Sequence, residues 1–157
     1  MLVPIRLTFL ITIAFCVSLT GCFNPPSNQQ DKKGHHQHNP PPHGGLIIPW
    51  GADEYHVEFV RNKKTGMAKL YMYDGELEKL VPIDAKVISM RLKGKDRTHK
   101  LEFKPDPSKD DPKDQAPLFT LKHEVFQSKG KLKGTIDARF GGAAYSQKFD
   151  EAKPHRH

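Results

Sequence analysis

From Gly45 onward, apolar residues recur at every second position in short runs, and turn-forming residues such as Gly, Pro, Asn and Asp punctuate the series. That period belongs to the β-strand, whose side chains point alternately to opposite faces. LIIPW (46–50) opens the series. EYHVEFV (54–60) follows, with Tyr55, Val57 and Phe59 alternating against His56 and Glu58. RNKKTG reads as a hairpin turn into MAKLYMYD (67–74), where either face can supply the core. AKVISMRLK (85–93) sets Ile88, Met90 and Leu92 on one face, and HKLEFK (99–104) does the same with Leu101 and Phe103. After a long loop come LFTLKHEVF (118–126), GKLKGTIDARF (130–140) and AAYSQKF (143–149), the last two joined by a tight Gly141-Gly142 turn. No stretch carries a convincing helical repeat. The pattern predicts an all-β domain, a small antiparallel β-sandwich of seven or eight strands over residues 44–150.

Residues 1–21 follow a different rule. One cation, Arg6, precedes the apolar run LTFLITIAFCVSLTGC, too short for a comfortable membrane span and typical of an export signal. Leu19-Thr20-Gly21-Cys22 matches the bacterial lipobox, where the signal is cut before a cysteine thioether-linked to diacylglycerol. The expectation is therefore a signal peptide over 1–21 and a lipoprotein acylated at Cys22, palmitate included. It is held by membrane lipid in the cell envelope and faces the periplasm or the exterior. Cys16 falls within the signal, so the mature chain is expected to have no free thiol and no disulfide.

Removing residues 1–21 from the 157 leaves 136, enough for one domain with a core. Residues 22–43 are rich in Pro, Asn, Gln, Lys and His with almost nothing to bury, which reads as a disordered tether. A flexible chain of that length holds the domain about 25 Å from the lipid on average and roughly 70 Å away at full stretch. Residues 151–157 form a short tail containing His155 and His157.

The formal charge of +7 falls only to +6 with the loss of Arg6. The lysines lie near turn signals and do not alternate with stacking aromatics, so they read as protection of hairpin ends and edge strands, with attraction to anionic lipid as a side effect and no nucleic-acid partner. In KPDPSKDDPKDQAP, Asp106, Asp110, Asp111 and Asp114 lie among prolines and lysines. The spacing is not that of an EF-hand loop, and a solvated loop is the better reading than a calcium site.

The remaining chemistry is imidazole, a borderline donor suited to Zn²⁺, Ni²⁺ and Cu²⁺. GHHQHNPPPHGG places His35, His36, His38 and His43 within nine positions, His56 sits on the second strand, and His155 and His157 close the chain. His99 and His123 stand singly beside turns and read as exposed polar residues. Chain ends often meet, in which case the two terminal clusters share one metal or a small mobile pool. A histidine-rich spacer without metal is the competing reading of the tether. Met67, Met72 and Met90 lie singly on strand patterns and read as packing residues rather than a Cu⁺ site.

PHGGLIIPWGADEYHVEFVRNKKTGMAKLYMYDGE resembles the N-terminal periplasmic, metal-associated domain of heavy-metal efflux adaptor (membrane fusion) proteins and of related small bacterial lipoproteins. Pro42, His43, Gly44, Gly45, Gly51, His56, Glu58, Thr65, Gly66, Leu70, Tyr71, Asp74 and Gly75 stand in that family's order. The resemblance implies a metal-associated envelope domain with His43 and His56 as the positions to carry over, and an envelope metal-efflux or metal-acceptor protein as partner. No G-x-S-x-G, H-E-x-x-H or phosphate-cradling glycine loop points to an enzyme. The leading expectation is a lipoprotein that binds or buffers a divalent transition metal. The alternative is a protein-interaction or structural β-sandwich with no physiological metal.

Overall fold

The computed structural model describes residues 40–94 and 96–153. The strands are β1 (Leu46–Trp50), β2 (Tyr55–Arg61), β3 (Met67–Asp74), β4 (Ile88–Lys93), β5 (Thr98–Pro105), β6 (Leu118–Lys122), β7 (Lys133–Phe140) and β8 (Ala143–Asp150). All pairings are antiparallel, in the order β1-β2-β3-β6-β5-β4-β7-β8. Where the sequence suggested two layers, the layers belong to one sheet that curls until β1 lies beside β8, without hydrogen-bonding to it. The result is a nearly closed barrel.

Local chemistry sets the hairpins. The side chain of Asn62 accepts from the backbone N–H groups of Lys64 and Thr65, at 2.9 and 3.1 Å, and so turns β2 into β3. Gly141 and Gly142, at φ +55° and +77°, meet the demand of a two-residue turn for two left-handed residues between β7 and β8.

Inward positions from every strand form one core. Ile48, Val57, Leu70 and Met72 come from one half of the sheet, and Ile88, Met90, Phe103 and Ile136 from the other. LFTLKHEVF, read as a single strand, breaks after Lys122. His123 Nδ1 accepts from the backbone N–H of Val125 at 3.1 Å and caps a 3-10 turn over Glu124–Gln127. This turn drives Phe126 into the core, with its ring 6.0 Å from that of Phe59 and 5.8 Å from that of Phe103. Burying a phenyl ring stabilises by about 1.5–3 kcal/mol. Arg61, read from sequence as part of a solvated turn, is also buried at this end, and all five of its guanidinium hydrogens find acceptors.

Candidate functional site

Just before β1 the chain crosses the outer side of β2, and the Pro-His-Gly-Gly stretch supplies what that crossing requires. Gly44 donates to the carbonyl of Pro41 at 3.0 Å and sits at φ +68°, where an L side chain is strained. Gly45 lies so close to β2 that a Cβ on it would come within 2.6 Å of the Phe59 carbonyl oxygen and 2.8 Å of Glu58 Cγ. Two glycines thus bring His43 down onto the sheet.

What holds it there is Glu58. This carboxylate lies on the face of β2 opposite the core residues Val57 and Phe59, yet it is fully buried. Its Oε1 accepts from the backbone N–H groups of His43 and Gly45, both at 2.8 Å, and its Oε2 lies 2.9 Å from His43 Nδ1. A buried carboxylate is stable when its lone pairs are met, and a hydrogen bond to a charged group contributes about 1.5–3 kcal/mol. The imidazole of His43 stacks on Tyr71, with ring centroids 3.8 Å apart and an interplanar angle of 8°. Tyr71 is the register partner of Glu58 on β3. The hydroxyl of Tyr73, two residues on, lies 3.3 Å from His43 Nδ1. Burial, then the charge of Glu58 and then Tyr71 push the Tyr73 phenol up to about 12, so it remains a neutral O–H.

His56 shares this face with Glu58 but has a different setting. It is fully buried between Pro49 of β1 and Tyr73 of β3 in the register. Its Nδ1 is 3.4 Å from the carbonyl oxygen of Asp74, a group that can only accept, and its Nε2 is 3.8 Å from Asp53 Oδ1. Asp53 ends a run of three left-handed residues, Gly51, Ala52 and Asp53 at φ +62°, +55° and +72°, that turns β1 into β2. His43, by contrast, keeps 40% of its side chain exposed, and its Nε2 bonds to no described residue.

Among the described residues, no group of three or more His, Cys, Asp or Glu side chains is placed to hold a metal ion. His35, His36, His38, His155, His157 and Cys22 lie outside the described residues. Of the loop aspartates, Asp111 accepts from the backbone N–H of Ser108 through its side chain. Met72 and Met90 are buried in the core. His99 and His123 stand edge to face with ring centroids 6.1 Å apart. Comparison with protein-family models, curated proteins and solved structures finds no match for this chain.

The arrangement can present one imidazole in a fixed pose. When Nδ1–H donates to Oε2 of Glu58, Nε2 carries the lone pair toward solvent. The roles of Glu58, Tyr71 and Tyr73 were not assigned from sequence, because alternation along β2 left the face of Glu58 for water and MAKLYMYD offered either face to the core. The available signal was the pairing of His56-x-Glu58 with Tyr71-x-Tyr73: two titratable groups facing two aromatics is unusual for a solvated face.

Proposed function

We propose that this chain is an envelope-anchored lipoprotein that binds or buffers a divalent transition metal, Zn²⁺, Cu²⁺ or Ni²⁺, with Nε2 of His43 as the ligand fixed by the fold. The supporting observation is the 2.9 Å contact between His43 Nδ1 and the buried Glu58 carboxylate. A metal-ligating histidine commonly gives its other nitrogen to a carboxylate, which sets the tautomer and makes the ligand nitrogen more basic. One imidazole is a weak site by itself, so the reading calls on His35, His36 and His38, which precede His43 by eight, seven and five residues. Glu151 lines the same cleft as Gly44 and Gly45, and the reading also calls on His155 and His157, four and six residues further along the sequence. His56 is fully buried, with Nε2 3.8 Å from Asp53 Oδ1 on the 51–54 turn. The metal then passes to an envelope efflux or acceptor protein.

Titration of residues 22–157 with each ion tests this. Saturable binding tighter than about 10 μM, some −7 kcal/mol, is expected, with at least a tenfold loss in His43→Ala and after deletion of residues 34–42. Absence of such binding in the intact chain leaves the alternative, a β-barrel lipoprotein whose role is to bind another protein.

A further inference from the structure

The two halves of the barrel turn unlike faces outward. On one side the register aligns Ile47, Glu58, Tyr71 and Leu118 across β1, β2, β3 and β6, a row with no exposed charge. On the other, Lys100, Arg91, Thr135 and Lys148 align across β5, β4, β7 and β8, and Glu102, Ser89, Asp137 and Ser146 form the next row. Two of the acids on this side are already matched: Asp137 pairs with Arg91 at 2.9 Å and Glu102 with Lys104 at 3.4 Å. Asp150 holds the backbone N–H of Ala152 at 2.9 Å. Lys93, Lys100, Lys133, Arg139 and Lys148 remain, all exposed and none within an ion pair among the described residues.

We infer that this four-stranded basic face docks on an anionic lipid surface. Its cations are spread in two dimensions, over strands that together span about 14 Å, and each lysine near an anionic membrane gains roughly a fivefold factor in binding. A nucleic acid strand would instead call for a linear basic track with aromatic rings for stacking, and no outward position on these four strands is aromatic. Tyr145, the aromatic residue of β8 near this side, is turned toward Trp50 and Phe140. With the basic face on the membrane, His43 sits on the far side of the barrel, away from the lipid. The inference shares with the anchoring reading only the nearness of a membrane.

Residues 34–157 contain every described strand and core residue but not Cys22, so their binding to vesicles is independent of acylation. In co-sedimentation at low salt, this segment is expected to bind phosphatidylcholine vesicles containing phosphatidylglycerol, but not phosphatidylcholine alone, with or without a chelator. Lys93→Glu with Lys100→Glu and Lys148→Glu should weaken binding at least tenfold, and Lys100→Glu alone about fivefold if the triple variant fails to fold. The same charge change placed off this face, in Lys63→Glu with Lys64→Glu and Lys79→Glu, should shift binding by less than about twofold. Equal weakening by the two triple variants, equal binding to neutral vesicles, or tighter binding to duplex DNA than to the anionic vesicles overturns the inference.

Discussion

The guanidinium of Arg61 and the carboxylate of Glu151 meet in two parallel contacts, Nε to Oε1 at 2.8 Å and Nη2 to Oε2 at 2.7 Å, across 90 positions of sequence. The rest of the fork donates to the carbonyls of Phe126, Ser128 and Gly130, while Oε2 also accepts from the backbone N–H of Leu132 at 2.8 Å. Only 5% of the Arg61 side chain and 13% of that of Glu151 are exposed. The pair therefore stitches the end of β2, the 3-10 turn and the start of β7 to the last residues of the domain.

Removing one partner leaves the other charge buried, so Glu151→Ala is expected to lose about 3–5 kcal/mol in urea unfolding. Ending the chain after Asp150 should reproduce that loss, whereas ending it after Lys153 should leave stability unchanged. Equal stability of the two truncations would show that the pair does not anchor the C-terminus.

Glu58→Gln keeps the shape of the side chain and reverses one hydrogen bond. Its carbonyl oxygen can still accept from His43 N and Gly45 N, but its NH₂ then donates to His43 Nδ1 and moves the imidazole proton to Nε2. Metal affinity is expected to fall about 10–100-fold. Circular dichroism should show the same fold, and an unchanged affinity would remove Glu58 from the site.

The two glycines of the motif should respond differently to alanine. Gly45→Ala meets backbone and side chain of β2 and is expected to cost about 1–3 kcal/mol, as overpacking does. Gly44→Ala has open space around it and suffers only the left-handed backbone, at about 1 kcal/mol. Denaturation midpoints of the two variants give the order directly.

Tyr73 makes stability fall at high pH. An unfolded chain releases its phenol proton near pH 10 and the folded one near 12. Within that window the unfolded state holds fewer protons, so the contribution of the phenol is intact below about pH 10 and disappears as pH rises toward 12. Tyr55 is shifted in the same direction, chiefly by burial. Tyr73→Phe should thus reduce the slope of stability against pH in this range without abolishing it, as urea midpoints at pH 9 and 11 would reveal.

Metal retention should also depend on pH, in the opposite range. Free imidazole takes up a proton near pH 6.5, so a histidine-based site holds metal at pH 7.5 and releases most of it by about pH 5. A carboxylate site would instead keep its cation at both values, since aspartates in model peptides titrate near 3.9. Equal affinity at pH 5 and 7.5 excludes the histidines.

Strands were legible because each carries its own alternation; MAKLYMYD is β3 from end to end. The single curled sheet was not, since β6 returns to pair with β3 and β7 with β4, each past two intervening strands, and no local pattern encodes such partners. His43 stood out through its neighbours in sequence. Its clamp did not, because Glu58 is 15 positions away and looks, by alternation alone, like a residue facing water. Arg61 and Glu151 each sit beside a turn, where a charge is ordinary, and only the tertiary structure makes them a pair.

The meeting of β1 with β8 also dictates an order of events. Neighbouring strands in the hairpins can zip as soon as each turn has formed, but the seam joins segments almost a full domain apart, and its loop-closure entropy must be met late. The Arg61 clamp depends likewise on a residue near the end of the chain. A nascent chain that has not yet delivered β8 therefore holds an incomplete sheet with β7 as its open edge, and the barrel closes last.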